Sequence, residues 1–211
     1  MNRLKKVLLW TVAVVITVAA MFFQRTTGPT YPARTVVTID GTGYALSLKR
    51  SQNNTHPCNV DLVLPENISG EVFYRRYPGE NEWTKISMQR SGSVLTAVLP
   101  SQPAAGKLQY YISLYDNQGG TFTIGKEKPV IIRFKGDVPA AVLIPHILAM
   151  LIAMLLSTLA GLYAIFGVEG FRKYALITLL WLLAGGFILG PLVQYYAFGN
   201  FWTGIPFGWD L

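Results

Sequence analysis

The chain has 211 residues, of which 51% are hydrophobic, with a mean hydropathy of +0.35 and a formal net charge of +7. This composition fits one modest soluble domain joined to a few membrane spans. A single cysteine excludes an intrachain disulfide, and two histidines supply little general-base chemistry.

The N-terminus combines a basic start, residues 1–6 with Arg3, Lys5 and Lys6, with an uncharged apolar run over residues 7–23. A signal peptide with the small-residue site Val18-Ala19-Ala20 is one interpretation. The apolar run continues through Phe23 and reaches nearly the length of a membrane span, which favours an uncleaved signal anchor. We therefore predict a first transmembrane helix over residues 7–23.

Residues 24–137 form the polar part of the chain and have the pattern of β-strands. A Gly/Pro linker over residues 24–32 is followed by short apolar runs that are separated by turn residues. Leu108, Tyr110, Ile112 and Leu114 alternate strictly with other residues, which is typical of a strand with one buried face. Short strands at regular spacing predict an all-β sandwich.

The stretches 71–76, 83–88, 99–104 and 107–116 resemble the fibronectin type III and immunoglobulin-like modules of bacterial secreted and surface proteins. The resemblance covers residues 69–134. Its pattern Leu108-x-Tyr110-x-Ile112 is similar to the tyrosine-corner strand of such sandwiches, with Ile112 where an immunoglobulin domain has its second cysteine. The resemblance implies a disulfide-free immunoglobulin-like fold. It implies no activity, because these modules serve as spacers, adaptors and binding surfaces.

Two further apolar runs, residues 138–168 and 174–198, contain no Asp, Glu, Lys or Arg. Each is long enough to cross a bilayer core of about 30 Å as a helix. The short loop between them, residues 169–173, contains Arg172 and Lys173.

Basic loops stay in the cytoplasm, so residues 1–6 and 169–173 are predicted inside. The β-domain and the aromatic tail, residues 199–211, are then periplasmic or extracellular on a bacterial inner membrane. The abrupt end of the tail is consistent with a missing fourth span.

Small residues recur at a spacing of four in the last two apolar runs. They are Ala149, Ala153, Ser157 and Gly161 in the first run, and Gly186 and Gly190 in the second. Such faces let helix backbones approach closely in lipid. They predict either an oligomer interface or packing of the two helices within one chain, and the short loop favours the second. The pair Gly190-Pro191 predicts a kink or a weak point in the last span.

His146 is the one residue of the types Asp, Glu, Lys, Arg and His in residues 138–168. Such residues within a membrane span often have a functional role. His146 is either a structural residue near the interface or an axial ligand to haem, with the second ligand from another chain. His56 and Cys58 are too few for a zinc site. With 13 basic and 9 acidic residues, the segment 24–137 is too mixed in charge to indicate nucleic-acid binding.

These features predict a three-span membrane protein with an all-β immunoglobulin-like ectodomain. We expect a non-enzymatic accessory or scaffolding protein that binds a partner outside the cytoplasm and associates with other helices, or with a second copy, in the bilayer. The alternative is a haem-binding membrane electron-transfer subunit that uses His146.

Overall fold

A computed structural model describes residues 3–79 and 82–202 of the chain. The chain divides into two compact units, which are described separately. The helical unit comprises Met1–Gly28 and Val138–Leu211, and the β-unit comprises Pro29–Asp137. The predicted tail at residues 199–211 falls partly outside the described residues.

The β-unit consists of short strands, as the alternating pattern predicts. Its described residues form β1 (Ala33–Ile39), β2 (Thr42–Leu48), β3 (Ser51–Asn53), β4 (Cys58–Val63), β5 (Ile68–Arg76), β6 (Thr84–Ser87), β7 (Gln89–Ser91), β8 (Val94–Leu99), β9 (Lys107–Asp116), β10 (Thr121–Ile124) and β11 (Val130–Lys135).

The strands form two main sheets and a separate hairpin. The smaller sheet has the order β4-β8-β7, and the larger has the order β3-β11-β9-β5-β6, with β10 also paired to β9. Paired strands are antiparallel except β3 and β11, which are parallel. β1 and β2 form the hairpin around Asp40 and Gly41, whose φ angles of 49° and 76° are those of a two-residue type I′ turn.

One hydrophobic core lies within the β-unit and receives side chains from both sheets and the hairpin. The four alternating residues of β9 are all fully buried in it. The hydroxyl of Tyr110 donates to the carbonyl of Lys49 at 2.9 Å, 61 residues upstream. In a tyrosine corner the acceptor lies only a few residues upstream, so this bond is not that of a tyrosine corner. Tyr110 lies in mid-strand and points into the core, which directs its hydroxyl to the β2–β3 connection.

Arg90 of β7 connects separate backbone segments of the β-unit through hydrogen bonds of its side chain. Its guanidinium donates to the carbonyls of Leu64 at 3.2 Å, Pro65 at 2.9 Å, Gly92 at 3.1 Å and Ile68. Five N–H donors in a rigid fork suit this convergence of carbonyls. The side chain thereby holds the β4–β5 connection against the turn after β7.

The helical unit contains α1 (Arg3–Thr27), α2 (Ala140–Ile165), α3 (Phe171–Leu182), a π-helical segment (Leu183–Leu189) and α4 (Gly190–Phe198). Helices α3 and α4 and the π-helical segment form one continuous helix, Phe171–Phe198. Within the described residues, the three helices Arg3–Thr27, Ala140–Ile165 and Phe171–Phe198 are each long and apolar enough to cross a membrane.

The helix bounds differ from the predicted ones by a few residues. Helix α1 extends to Thr27 because the hydroxyls of Thr26 and Thr27 bond back to carbonyls one turn earlier, so these polar residues do not end it. Helix α3 begins at Phe171, after Gly170 in the left-handed conformation at φ 94°. The basic pair therefore lies in the first turn of α3 instead of a loop.

The irregularity predicted at Gly190-Pro191 occurs one turn earlier, as the π-helical segment. Pro191 has no N–H and its ring would clash with the carbonyl four residues before it. The helix accommodates this with wider i→i+5 hydrogen bonding, in which the N–H of Gly190 donates to the carbonyl of Gly185. The helix thus continues to Phe198 without ending at the proline.

Candidate functional site

The outward surface of the larger sheet contains an unusual number of aromatic and cationic side chains. In a strand, successive side chains point to opposite faces, so the outward residues of β5 and β9 are those between the core residues. Phe73 and Arg75 of β5 lie opposite Tyr111 and Gln109 of β9 in the register. Trp83 precedes β6, the neighbouring strand at the sheet edge. We call this surface the aromatic–cationic face, and define it as Phe73, Arg75, Trp83, Lys85, Lys107, Tyr111 and Arg133.

Three aromatic rings form the centre of the face. The rings of Phe73 and Tyr111 stack in parallel with centroids 4.8 Å apart and an interplanar angle of 4°. Trp83 meets Tyr111 edge-on at 4.7 Å and 76°. All three side chains are half-buried, so each keeps part of its surface in contact with solvent.

Arg75 lies across this aromatic centre. Its guanidinium carbon is 4.4 Å from the ring centroid of Trp83, a favourable cation–π distance. When the amide of Gln109 is turned so that its oxygen points to Arg75, it accepts a hydrogen bond from Nη2 at 3.0 Å. The arginine is therefore held flat against the indole by a neighbour on the next strand.

The rest of the face is predominantly positive. Burial, together with the charge of nearby Arg133, lowers the pKa of Lys107. Glu71 is the acidic residue beside the face; it pairs with Lys85 at 2.9 Å and accepts a hydrogen bond from the Tyr115 hydroxyl at 3.0 Å. The hydrogen bond from Lys85 is the main reason that the pKa of Glu71 is lowered. The charge of Lys85 is thus paired with that of Glu71 on the surface of the sheet.

The sequence indicates this face at two places where the alternation of apolar and polar residues along a strand is interrupted. In Val72-Phe73-Tyr74 and Tyr110-Tyr111-Ile112, apolar residues occupy both the inward and the outward positions. An antiparallel sheet with one solvated face normally has polar residues outward. Two such interruptions are informative only once the register places Phe73 opposite Tyr111.

His146 lies half-buried in the helical unit and contacts the π-helical segment. Its Nδ1 is 2.9 Å from the carbonyl oxygen of Gly185. A carbonyl only accepts, so Nδ1 carries a proton, and in the neutral imidazole Nε2 then keeps its lone pair. The residue also lines a cavity of about 540 Å³ with residues of α1 and α2. Nε2 is therefore the atom of His146 that would bind a metal or haem iron in the predicted ligand role.

The predicted small-residue positions separate into two groups. Ala149 and Ala153 are buried, and a Cβ placed on Gly185 would lie 2.8 Å from the Cβ of Ala149. Gly186 and Gly190 lie against the side chains of Met150 and His146, at 3.9 and 3.8 Å by the same measure. These positions pack within the chain, and the sequence pattern overlooked Gly185 as the point of closest approach. Ser157 and Gly161, by contrast, are exposed.

Cys58 is fully buried in the core of the β-unit, and burial raises the pKa of its thiol. His56, two residues before it in the sequence, is exposed. A buried thiol with a raised pKa has little thiolate, which is the reactive form.

No protein-family model matches the chain, and no curated protein sequence is significantly similar to it.

Proposed function

We propose that this protein is a three-span membrane protein that binds an acidic partner protein outside the cytoplasm through the aromatic–cationic face of an immunoglobulin-like β-domain. It acts as an accessory or scaffolding protein and not as an enzyme. The observation that carries the proposal is the stacked, arginine-covered aromatic centre on the outward surface of the larger sheet.

Membrane insertion is supported by the exposed apolar surface of the helical unit. Large hydrophobic side chains on all three long helices are exposed, among them Phe22, Leu176 and Phe187 at 71%, 64% and 72%. An exposed apolar surface of this extent on helices of span length is stabilised by lipid and not by water.

The orientation is supported by a contact between α1 and the end of α2. The ammonium of Lys5 lies 3.3 Å from the carbonyl oxygen of Phe166, which directly follows α2. The N-terminal basic residues and the short loop that precedes Arg172 and Lys173 therefore lie at the same end of the helical unit. Positively charged ends stay in the cytoplasm, so the segment between α1 and α2 is outside.

The immunoglobulin-like assignment is supported by strand order. In an immunoglobulin fold with strands A to G, one sheet contains neighbours B, E and D and the other contains C, F and G. With β4, β5, β7, β8, β9 and β11 taken as B to G, both sheets have this order. In this alignment β6 is an additional edge strand next to β5, and the aromatic–cationic face lies on the sheet that contains C, F and G.

Partner binding explains the face better than sheet stabilisation alone. Cross-strand aromatic pairs stabilise a sheet by roughly 0.2–1 kcal/mol each, which accounts for Phe73 and Tyr111 but not for a half-buried arginine placed over a tryptophan ring. Trp, Tyr and Arg are the residues that most often dominate binding energy in protein interfaces. The cationic side chains among these residues would complement carboxylates on the partner, and such complementarity would also accelerate association.

The test is co-purification of the full chain from its native membrane in mild detergent, followed by exchange of single residues on the face. We expect a protein with an acidic surface to co-purify with the wild-type chain and to be lost with Trp83→Ala and with Arg75→Gln. Val98→Ala is the matched control, because Val98 is 48% exposed on β8 of the other sheet. A strictly monomeric wild-type protein, or a complex that survives both exchanges on the face, would contradict the proposal.

A further inference from the structure

The cavity in the helical unit combines one imidazole with three thioethers. Its lining includes His146 and the methionines Met21, Met150 and Met154, together with Gln24, Ser157 and Thr158 among its polar residues. Met21 and Gln24 belong to the end of α1, and His146 belongs to the beginning of α2. The cavity is therefore lined by α1 and α2, with Leu182 of α3 as a further lining residue.

From this arrangement we infer that His146, Met150 and Met21 bind a single copper(I) ion. The inference concerns the helical unit and is independent of partner binding by the β-unit.

The hydrogen bond of His146 prepares its ring for metal binding. Nδ1 donates a hydrogen bond to the carbonyl of Gly185, which leaves Nε2 as the nitrogen that can ligate a metal ion. Histidines that bind metals almost always donate their other N–H to a carboxylate, a backbone carbonyl or water, which fixes the tautomer and the ring orientation. The carbonyl of Gly185 also accepts from Gly190. The π-helical segment thus places this acceptor beside the imidazole.

Met150 lies next to the same acceptor. It follows His146 by one helical turn, and residues spaced by four lie on one face of a helix. Its sulfur is 3.2 Å from the position that a Cβ on Gly185 would occupy, so Met150 and His146 both contact Gly185. The missing side chain of Gly185 leaves the space that this sulfur occupies. Met21 adds a thioether from α1 on the same cavity.

The donor set selects copper(I) over other metals. Thioether ligands are soft and favour Cu(I), whereas carboxylate and carbonyl oxygens favour Mg²⁺ and Ca²⁺. The three donors are neutral, so a monovalent ion brings one positive charge into an apolar region where a divalent ion would bring two.

Haem, the occupant that the sequence suggests, has two propionate groups that need cationic partners. The described residues that line the cavity include no lysine or arginine.

The experiment measures Cu(I) affinity of the purified full chain in detergent, under reducing conditions, by competition with a chromophoric Cu(I) chelator. All proteins contain Cys58→Ala, which removes the one thiol of the chain. We expect one equivalent of Cu(I) and an X-ray absorption spectrum with nitrogen and sulfur ligands. His146→Ala, Met150→Leu and Met21→Leu should each weaken binding about tenfold or more, a loss of the size that ligand-shell changes produce. Met88→Leu in the β-unit is the methionine control and should leave the affinity unchanged.

The inference is overturned if the protein binds no Cu(I), if it binds Zn(II) in preference, or if His146→Ala and Met150→Leu both bind Cu(I) as tightly as the protein with neither exchange. A purified protein with a Soret band that His146→Ala abolishes would assign the histidine to haem and also overturn it. If His146→Ala does not fold, the two methionine-to-leucine variants, which conserve volume, decide the outcome.

Discussion

Replacement of Arg90 by methionine tests how the β-unit is held together. The methionine keeps an unbranched apolar side chain but removes every donor of the guanidinium. Four carbonyls then lose the hydrogen bond from the guanidinium, and those of Leu64, Pro65 and Ile68 are partly buried. The carbonyl of Pro65 still accepts from the backbone N–H of Ile68 at 3.2 Å. The fourth, that of Gly92, is exposed and can bond to water instead.

The expected loss of stability follows from these bonds. A hydrogen bond to a charged group contributes about 1.5–3 kcal/mol net. Since Arg90 is only half-buried, water can reach some of the released carbonyls, and the three bonds do not add. We expect Arg90→Met to lower the free energy of unfolding by about 3 kcal/mol, the value of one to two such bonds. At roughly 4 °C per kcal/mol for a unit of this size, the midpoint of thermal unfolding falls by about 12 °C.

The assay is urea unfolding of the β-unit within the full chain in detergent, followed by pulse proteolysis. Arg90→Lys should recover only part of the loss, because an ammonium has no rigid fork. Arg34→Met is the control, since Arg34 is exposed and bonds to the Tyr31 hydroxyl at 2.7 Å; its effect should stay within about 0.5 kcal/mol. If the free energy of unfolding of Arg90→Met differs from that of wild type by no more than about 0.5 kcal/mol, the reasoning is refuted.

Three further predictions concern helix packing, orientation and pH. Gly185→Ala should destabilise the helical unit by about 1–3 kcal/mol in detergent, because its Cβ meets the facing alanine at 2.8 Å, whereas Gly161→Ala, with nothing within 4 Å, should be neutral or stabilising. In a background without the native cysteine, Ser91→Cys should react with an impermeant maleimide in intact cells and Glu169→Cys only after permeabilisation; the reverse pattern would invert the orientation. The pKa of Glu71 is lower in the folded than in the unfolded state, so its carboxylate stabilises the fold at pH values above the unfolded-state pKa of about 4.5. This stabilisation is lost as the pH falls through the folded-state pKa. Glu71→Gln should therefore remove the stability that wild type loses below pH 4.5.

The secondary structure of this chain was largely predictable because its patterns are local. Strict alternation at Leu108, Tyr110, Ile112 and Leu114 predicts a strand with one buried face, and all four residues are buried. Three uncharged apolar runs predict three long helices, and helices of that length and hydropathy are present. The hairpin at Asp40-Gly41 also has a local signal, since Asp-Gly is a preferred pair for a type I′ turn.

The contacts made by Arg90 and His146 were not predictable, because they join segments that are distant in sequence. Arg90 donates to carbonyls 22 to 26 residues earlier, and the hydrogen bond from His146 to Gly185 spans 39 residues. The rule of small residues at a spacing of four found Gly186 and Gly190 but not Gly185. The π-helical segment before Pro191 changes the helical phase, so Gly185 and not Gly186 lies nearest to α2.

The two faces of strand β9 show why the sequence predicts the fold better than the function. Its inward residues follow the rule that a sheet with one solvated face has apolar side chains inward and polar side chains outward. Any apolar side chain of suitable size would fill the core at these positions. Its outward residue Tyr111 violates that rule by presenting an aromatic ring where a solvated sheet normally has a polar side chain. The violation is repeated opposite it by Phe73 and is extended by Trp83. Core packing does not require these outward rings, and the proposed partner would cover them.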